Sequence, residues 1–222
     1  MCGIAGFYGS FEPSLLSDMN LAQAHRGPDD SGVWYDKTCR VGLAHQRLSI
    51  RDLSPAGHQP LFSKRKDVSI IYNGEIYNTE DFYNELVMDG YHFVGSSDTE
   101  VILNLYLKYG FELLTKLNGI FAFAIWDSRN KQLFLARDKM GVKPVYYSKT
   151  SKGFIFASEI KALLKESSVS REINPMALAS HISYLWSPAP STMLKSVHKL
   201  EPGSAMIIQE GRVDKKWPFY ND

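Results

Sequence analysis

The chain has 222 residues, a length for one large domain or two small ones and enough to bury a sizeable core. Its 25 Lys and Arg nearly balance 24 Asp and Glu, and no basic stripe breaks that balance, which excludes electrostatic recruitment of nucleic acid. No apolar run is long enough to span a bilayer and no charged leader precedes an apolar core, so a cytoplasmic protein is expected, with Cys2 and Cys39 as thiols rather than as a disulfide.

In chain order, runs of aromatic and β-branched residues predict strands at residues 4–8, 41–44, 68–72, 120–126, 133–136, 145–147 and 154–157. Helical spacing and stop signals fill the gaps. Residues 14–24 give the first helix. Residues 79–88 begin with Thr79 as cap, carry Glu80 and Asp81 in the first turn, and stop at Gly90. Residues 98–109 place Val101, Ile102, Leu105 and Tyr106 at helical spacing before Gly110. Short helical turns follow at 111–117 and 158–164, and a helix over 175–185 opens with Asn174 as cap and Pro175 at its first position. The polar loop 127–131 joins two strands as a hairpin, which points to antiparallel pairing. In that hairpin, FAFAIW puts Phe121, Phe123 and Ile125 on one face and Ala122, Ala124 and Trp126 on the other; both faces are apolar, so both need cover. Beyond Leu185, WSPAPST predicts an ordered extended connection, 201–203 a turn and 205–208 a strand. Trp217, Phe219 and Tyr220 then require packing partners, and the chain is expected to be cut from a longer protein.

Chemistry concentrates in a few polar clusters. Cys2 follows Met1 directly, so loss of one residue leaves a thiol and an α-amine on the same residue; the amine titrates near ~7.7–8.0 and can serve as the base for the sulfur. The competing reading is a small buried hydrophobe at the start of a strand. His25 and Arg26 in HRGPDDSG read as a structural brace for the N-terminal loop. Arg47 closes a strand and offers a planar fork for a carboxylate, or else a surface ion pair. Asn73-Gly74 is either a hairpin turn or a pair of donors for an oxyanion. Asp98 stands where it could cap a helix; with Glu75 it could instead accept a substrate ammonium. The six His are scattered, and no spacing fits a metal site.

Together CGIAGFYG, HRGPDDSG, RLSI with DLSPAGHQPL, YNGEIYN, SDTEVIL, LNGIFAFAIWD and LARDKMGVKPVYY resemble the glutaminase domain of class II glutamine amidotransferases, and most of all the glutamine-dependent asparagine synthetase family. The resemblance runs from Cys2 to about Gly203. It implies an N-terminal nucleophile hydrolase: an α+β, four-layer αββα sandwich of two mainly antiparallel sheets between helical layers. Residues 2–203 would be the amidotransferase domain, and 204–222 the last strand and the start of a linker to a C-terminal synthetase domain that this sequence lacks. By the same resemblance Cys2 is the nucleophile, and Asn73 and Gly74 hold the oxyanion. Arg47 takes the α-carboxylate of glutamine and Glu75 and Asp98 its α-amine, while Leu48, Ser49, Ile50 and Arg51 line the pocket. Arg51 departs from the family pattern, which more often has an aliphatic residue there.

The resemblance implies no cofactor for the glutaminase domain; ATP and Mg belong to the absent synthetase domain. Expected partners are glutamine and a linked or associated synthetase domain, with a homodimer possible and neither nucleic acid nor membrane involved. Ammonia would go to aspartate, giving asparagine, or to another carboxylate such as a sugar of a surface polysaccharide. A non-catalytic glutamine sensor and a purely structural domain are the rival classes.

Overall fold

The computed structural model describes residues 1–220; Asn221 and Asp222, the end of the expected linker, lie outside the described residues. Alternation along the strands decides the layers. In β6 (Gly119–Asp127), Phe121, Phe123 and Ile125 pack into a core with Ile70 and Tyr72 of β5 (Val68–Ile76), Leu86 of α2 (Thr79–Met88) and Ile102 and Leu105 of α3 (Asp98–Tyr109). Ala122, Ala124 and Trp126, on the opposite face, meet Ile4 and Tyr8 of β1 (Gly3–Gly9), Leu43 of β3 (Val41–Arg47) and Phe154 and Phe156 of β9 (Gly153–Ala157). The expected double cover of FAFAIW is present. The outer faces of β1 and β9 complete a third core: Ala5, Phe7, Ile155 and Ala157 pack on Leu15, Leu16 and Met19 of α1 (Ser14–Leu21) and on Ala162 and Leu163 of α5 (Ile160–Leu163).

The result is helix, sheet, sheet, helix, the α+β sandwich expected from the sequence. One six-stranded sheet runs β10 (Val197–Lys199), β8 (Tyr146–Thr150), β9, β1, β3, β2 (Asp30–Asp36). The other runs β12 (Arg212–Pro218), β11 (Ser204–Gln209), β7 (Gln132–Arg137), β6, β5, β4 (Leu61–Phe62). Every pairing is antiparallel. Among the described residues, no helix is long and apolar enough to cross a membrane.

Several expectations need correction. Asn73-Gly74 is not a turn: both lie inside the nine-residue strand β5, paired with Ala122 and Phe121. Asp98 does not cap α3. Ser97 does, its hydroxyl accepting from the Glu100 N–H at 3.4 Å, while Asp98 is the first helical residue. Thr79 is likewise the first residue of α2 rather than its cap, which is Asn78. The first helix ends at Leu21, and residues 24–26 form a separate single turn that carries His25 and Arg26. The short turn after α3 contains α4 (Leu113–Lys116), and α6 (Pro175–Tyr184) opens as expected, with Asn174 accepting from the Met176 and Ala177 N–H groups.

The C-terminal aromatics are not bare. Trp217 stacks on Phe134 with ring centroids 6.1 Å apart, and Phe219 stacks on Phe121 at 6.4 Å. β11 and β12 extend the second sheet to Pro218, so the boundary expected after Gly203 falls inside that sheet. Cys2 and Cys39 are both free thiols.

Candidate active site

Strand pairing brings the first residues of the chain to the end of β3. Gly3 faces Gln46 in the ladder, which sets Cys2 beside Leu48. The Leu48 N–H donates to the Cys2 Sγ at 3.4 Å, and the thiol lies 3.7 Å from the Leu48 carbonyl. Burial pushes the Cys2 thiol above its ordinary pKa, against the opposing effect of that N–H. A sulfur held in this way needs a base close by to become a thiolate. Arg26 fixes the backbone of the same residue: its Nε donates to the Cys2 carbonyl at 2.8 Å, and its Nη1 reaches Glu159 at 3.1 Å. His25 also pairs with Glu159, at 2.9 Å, so HRGPDDSG supplies a brace for the terminus.

The opposite wall comes from the second sheet. Inter-sheet contact is fixed by His45, whose Nε2–H donates to the Tyr72 carbonyl at 3.0 Å; burial pushes its pKa down to about 4, so the ring is neutral. Next to Tyr72, the Asn73 side chain is 1% exposed and its Nδ2 has no acceptor among the described residues. Buried amide N–H groups rarely stay unpaired, so this one is a donor awaiting an acceptor. Gly74 adds a second. The N–H groups of Tyr72 and Ile76 leave the strand on the side away from β6 and donate to Gln59 Oε1, at 2.6 Å, and Asp98 Oδ2, at 3.2 Å. The two-residue period of the ladder turns the Gly74 N–H to the same side, between those two, and no hydrogen bond from it occurs among the described residues. A side chain at 74 would strike the Ile120 carbonyl and the Phe121 backbone, so only glycine keeps the strand in place there.

Arg47, 8% exposed, is not in a surface ion pair. Its Nη1 donates to the Ser54 carbonyl at 3.0 Å and its Nη2 to that of Asp52, which clamps the guanidinium inside the loop that follows β3. A methyl group at Gly57 would collide with it. Asp98 is buried; its Oδ2 accepts from the Tyr72 hydroxyl at 2.7 Å and from the Ile76 N–H, and burial raises its pKa. Glu75 is engaged by Arg51, with Nε to Oε1 at 2.5 Å, and Arg51 Nη1 donates to Thr79 Oγ1 at 3.1 Å.

These residues share one cleft that opens to solvent. It is lined by Cys2, Arg47, Leu48, Ile50, Arg51, Asn73, Gly74, Glu75 and Asp98, which come from both sheets and from α3. Ser49 does not line it; its N–H donates to Asp29 and holds the loop from outside. Among the lining residues not singled out in the sequence are Gln59, Tyr72 and Lys143. Gln59 and Tyr72 fill the donors and acceptors around Gly74 and Asp98. Lys143 stands on the loop after β7, in LARDKMGVKPVYY, between the two strands expected at 133–136 and 145–147. Among the described residues, no group of three or more His, Cys, Asp or Glu could hold a metal ion.

The arrangement offers, in one cleft, a thiol, the Asn73 and Gly74 N–H donors, a clamped guanidinium and carboxylates. That set can attack a carbonyl, hold the resulting oxyanion, and bind a small zwitterion. The family described as glutamine amidotransferase domain matches residues 1–220. Asparagine synthetase [glutamine-hydrolyzing] 3 of Bacillus subtilis (strain 168) is 37% identical over all of this chain and 37% of its own length. Asparagine synthetase [glutamine-hydrolyzing] 1 of the same organism is 40% identical, over 94% of this chain and 34% of its own length. Amidase chry2 of Gibberella zeae is 36% identical over the whole chain and 34% of its own length. The chain thus spans little more than a third of these relatives. Among solved structures, the glutamine phosphoribosylpyrophosphate amidotransferase from B. subtilis, complexed with ADP and GMP, superposes over the whole chain and half of its own with a TM-score of 0.74. At 18% identity that likeness speaks for the fold.

Proposed function

This chain belongs to the glutamine amidotransferase domain family, and on that premise we propose that its cleft hydrolyses glutamine to glutamate and ammonia with Cys2 as nucleophile. Removal of Met1 exposes the Cys2 α-amine, which takes the thiol proton as sulfur adds to the side-chain amide carbon of glutamine. The carbonyl oxygen becomes an oxyanion between the Asn73 amide and the Gly74 N–H. When the C–N bond breaks, the amine returns its proton to the departing nitrogen, and ammonia leaves behind a thioester. Water then adds to that carbonyl, the sulfur departs, and glutamate is released. Arg47 would take the α-carboxylate and Asp98 the α-ammonium, which would orient the side-chain amide toward sulfur.

The observation that carries this reading is the unpaired, buried Asn73 Nδ2, beside a Gly74 N–H that the ladder turns away from β6, in the cleft that holds Cys2. Intact mass and a glutamate-release assay test it. The wild-type chain is expected to lack Met1 and to release glutamate and ammonia in equal amounts, while Cys2→Ala binds glutamine without turnover. Substantial glutamate production by Cys2→Ala would remove the nucleophile, and a retained Met1 with binding but no hydrolysis would instead make the domain a glutamine sensor.

The ammonia is proposed to reach an ATP-dependent synthetase, linked or associated, with aspartate as acceptor. The support is the activity named for relatives about three times as long as this chain. The amidase name of an equally similar relative keeps other acceptors in view.

A further inference from the structure

A pocket for a zwitterion needs unspent negative charge where the ammonium lands. Three carboxylates line the cleft, Asp52, Glu75 and Asp98, and Asp52 has both oxygens engaged by the N–H groups of Ser54 and Ser96. Glu75 is spent: Arg51 holds it at 2.5 Å, and the same guanidinium is anchored at 3.1 Å to Thr79 at the start of α2. Both side chains remain partly open to the cleft, at 39% and 30% exposure, so the pair forms part of its wall. Asp98 has one oxygen committed to the Tyr72 hydroxyl and the Ile76 N–H, and burial favours its neutral form. Arg47 also lines the cleft, its guanidinium held by the carbonyls of Ser54 and Asp52. The cleft is therefore well furnished for a carboxylate and poorly furnished for an ammonium.

Resting on the glutaminase reading, we propose that Arg51 is a specificity-determining residue: by occupying Glu75 it relaxes the demand for an α-ammonium, so the site accepts primary amides of five-carbon carboxylates with or without the α-amine. Glutamine must either displace Arg51 from Glu75 or rely on Asp98 alone. Glutaramate, which is glutamine without its amine, faces no such competition.

Calorimetric titration of the Cys2→Ala chain, where turnover cannot intrude, tests this with L-glutamine and glutaramate as probes. Arg51→Met keeps the side-chain length and removes the cation. It is expected to tighten glutamine binding by about tenfold, the scale of one freed charge-assisted hydrogen bond, and to leave glutaramate binding unchanged. Adding Glu75→Gln to Arg51→Met should cancel that gain, since the freed carboxylate is its source. Arg51→Lys, which retains a cation, should keep the wild-type ratio of the two affinities. Equal shifts for both ligands, or no gain for glutamine in a folded Arg51→Met chain, would overturn the proposal. The hydrolysis assay on the chain with Cys2 reports separately on the reaction: absence of turnover sinks the glutaminase reading, whereas the affinity ratio judges Arg51.

Discussion

Asn73 illustrates how much chemistry hangs on one buried donor. Its amide N–H group has no acceptor among the described residues, a condition that costs roughly 1–3 kcal/mol in a folded chain and that an arriving oxyanion would relieve. Asn73→Ala is therefore expected to lower kcat for glutamine hydrolysis by roughly 10²–10³ while leaving KM little changed, because the lost contact forms only as the carbonyl becomes tetrahedral. Equal losses in kcat and in glutamine affinity would show that Asn73 binds the ground state instead. The sequence alone offered two roles for Asn73-Gly74, since the dipeptide suits a hairpin turn as well as a donor pair. Pairing with Ala122 and Phe121 rules out the turn, and that pairing joins residues some fifty positions apart. Arg51 shows the same limit. Its departure from the family pattern is visible in the sequence, but its partner Glu75 is fixed only when the loop after β3 meets the far end of β5.

Among the elements, the loop between β7 and β8 holds a motif whose purpose emerges only from its hydrogen bonds. Asp138 accepts from four backbone N–H groups: Met140 and Val142 on one oxygen, Phe121 and Lys143 on the other. Arg137 faces the opposite way and donates to the carbonyls of Lys143, Leu200 and Gly141. This charged pair replaces regular ladder bonds where the chain leaves the sheet, and it sets Lys143 at the cleft. Asp138→Ala would strand several of those N–H groups and is expected to destabilise the chain by roughly 1–3 kcal/mol. Denaturant unfolding checks this; an unchanged midpoint and slope would mean that the loop satisfies itself in another way. The long, doubly apolar strand β6 was legible from composition because cover on both faces leaves a direct imprint on the sequence. Strands β2, β4, β10 and β12 were missed, being short, at or near a sheet edge, or polar on the solvent side, so that they carry little hydrophobic signal.

For the molecule as a whole, His45 ties one sheet to the other through the Tyr72 carbonyl, and it does so as a neutral ring. The folded state resists protonating it until the pH falls to about 4, whereas the unfolded chain takes that proton near its ordinary value of 6.5. The unfolded state therefore binds more protons across this window, and stability falls as the pH drops from 6.5 to 4, by roughly 3 kcal/mol from this residue. His45→Gln keeps an N–H for Tyr72 without the titration and should flatten that part of a stability-against-pH curve measured by urea unfolding. An identical slope in the variant would place the origin elsewhere. One surface is left uncovered among the described residues: α6 buries only Ala177, and Ile182, Tyr184, Leu185 and Trp186 stand mostly exposed around its C-terminal end. By itself the sequence determined that β6 needs cover on both faces, through its alternating apolar residues, and the set of chemical groups, through their types and motifs; the four-layer arrangement was implied only by the family resemblance of those motifs. Only the tertiary structure decided which of those groups meet, which donors stay unpaired and which carboxylate is already taken, because each depends on contacts between the two sheets and the loops above them, and local spacing does not encode distances between segments so far apart in the chain.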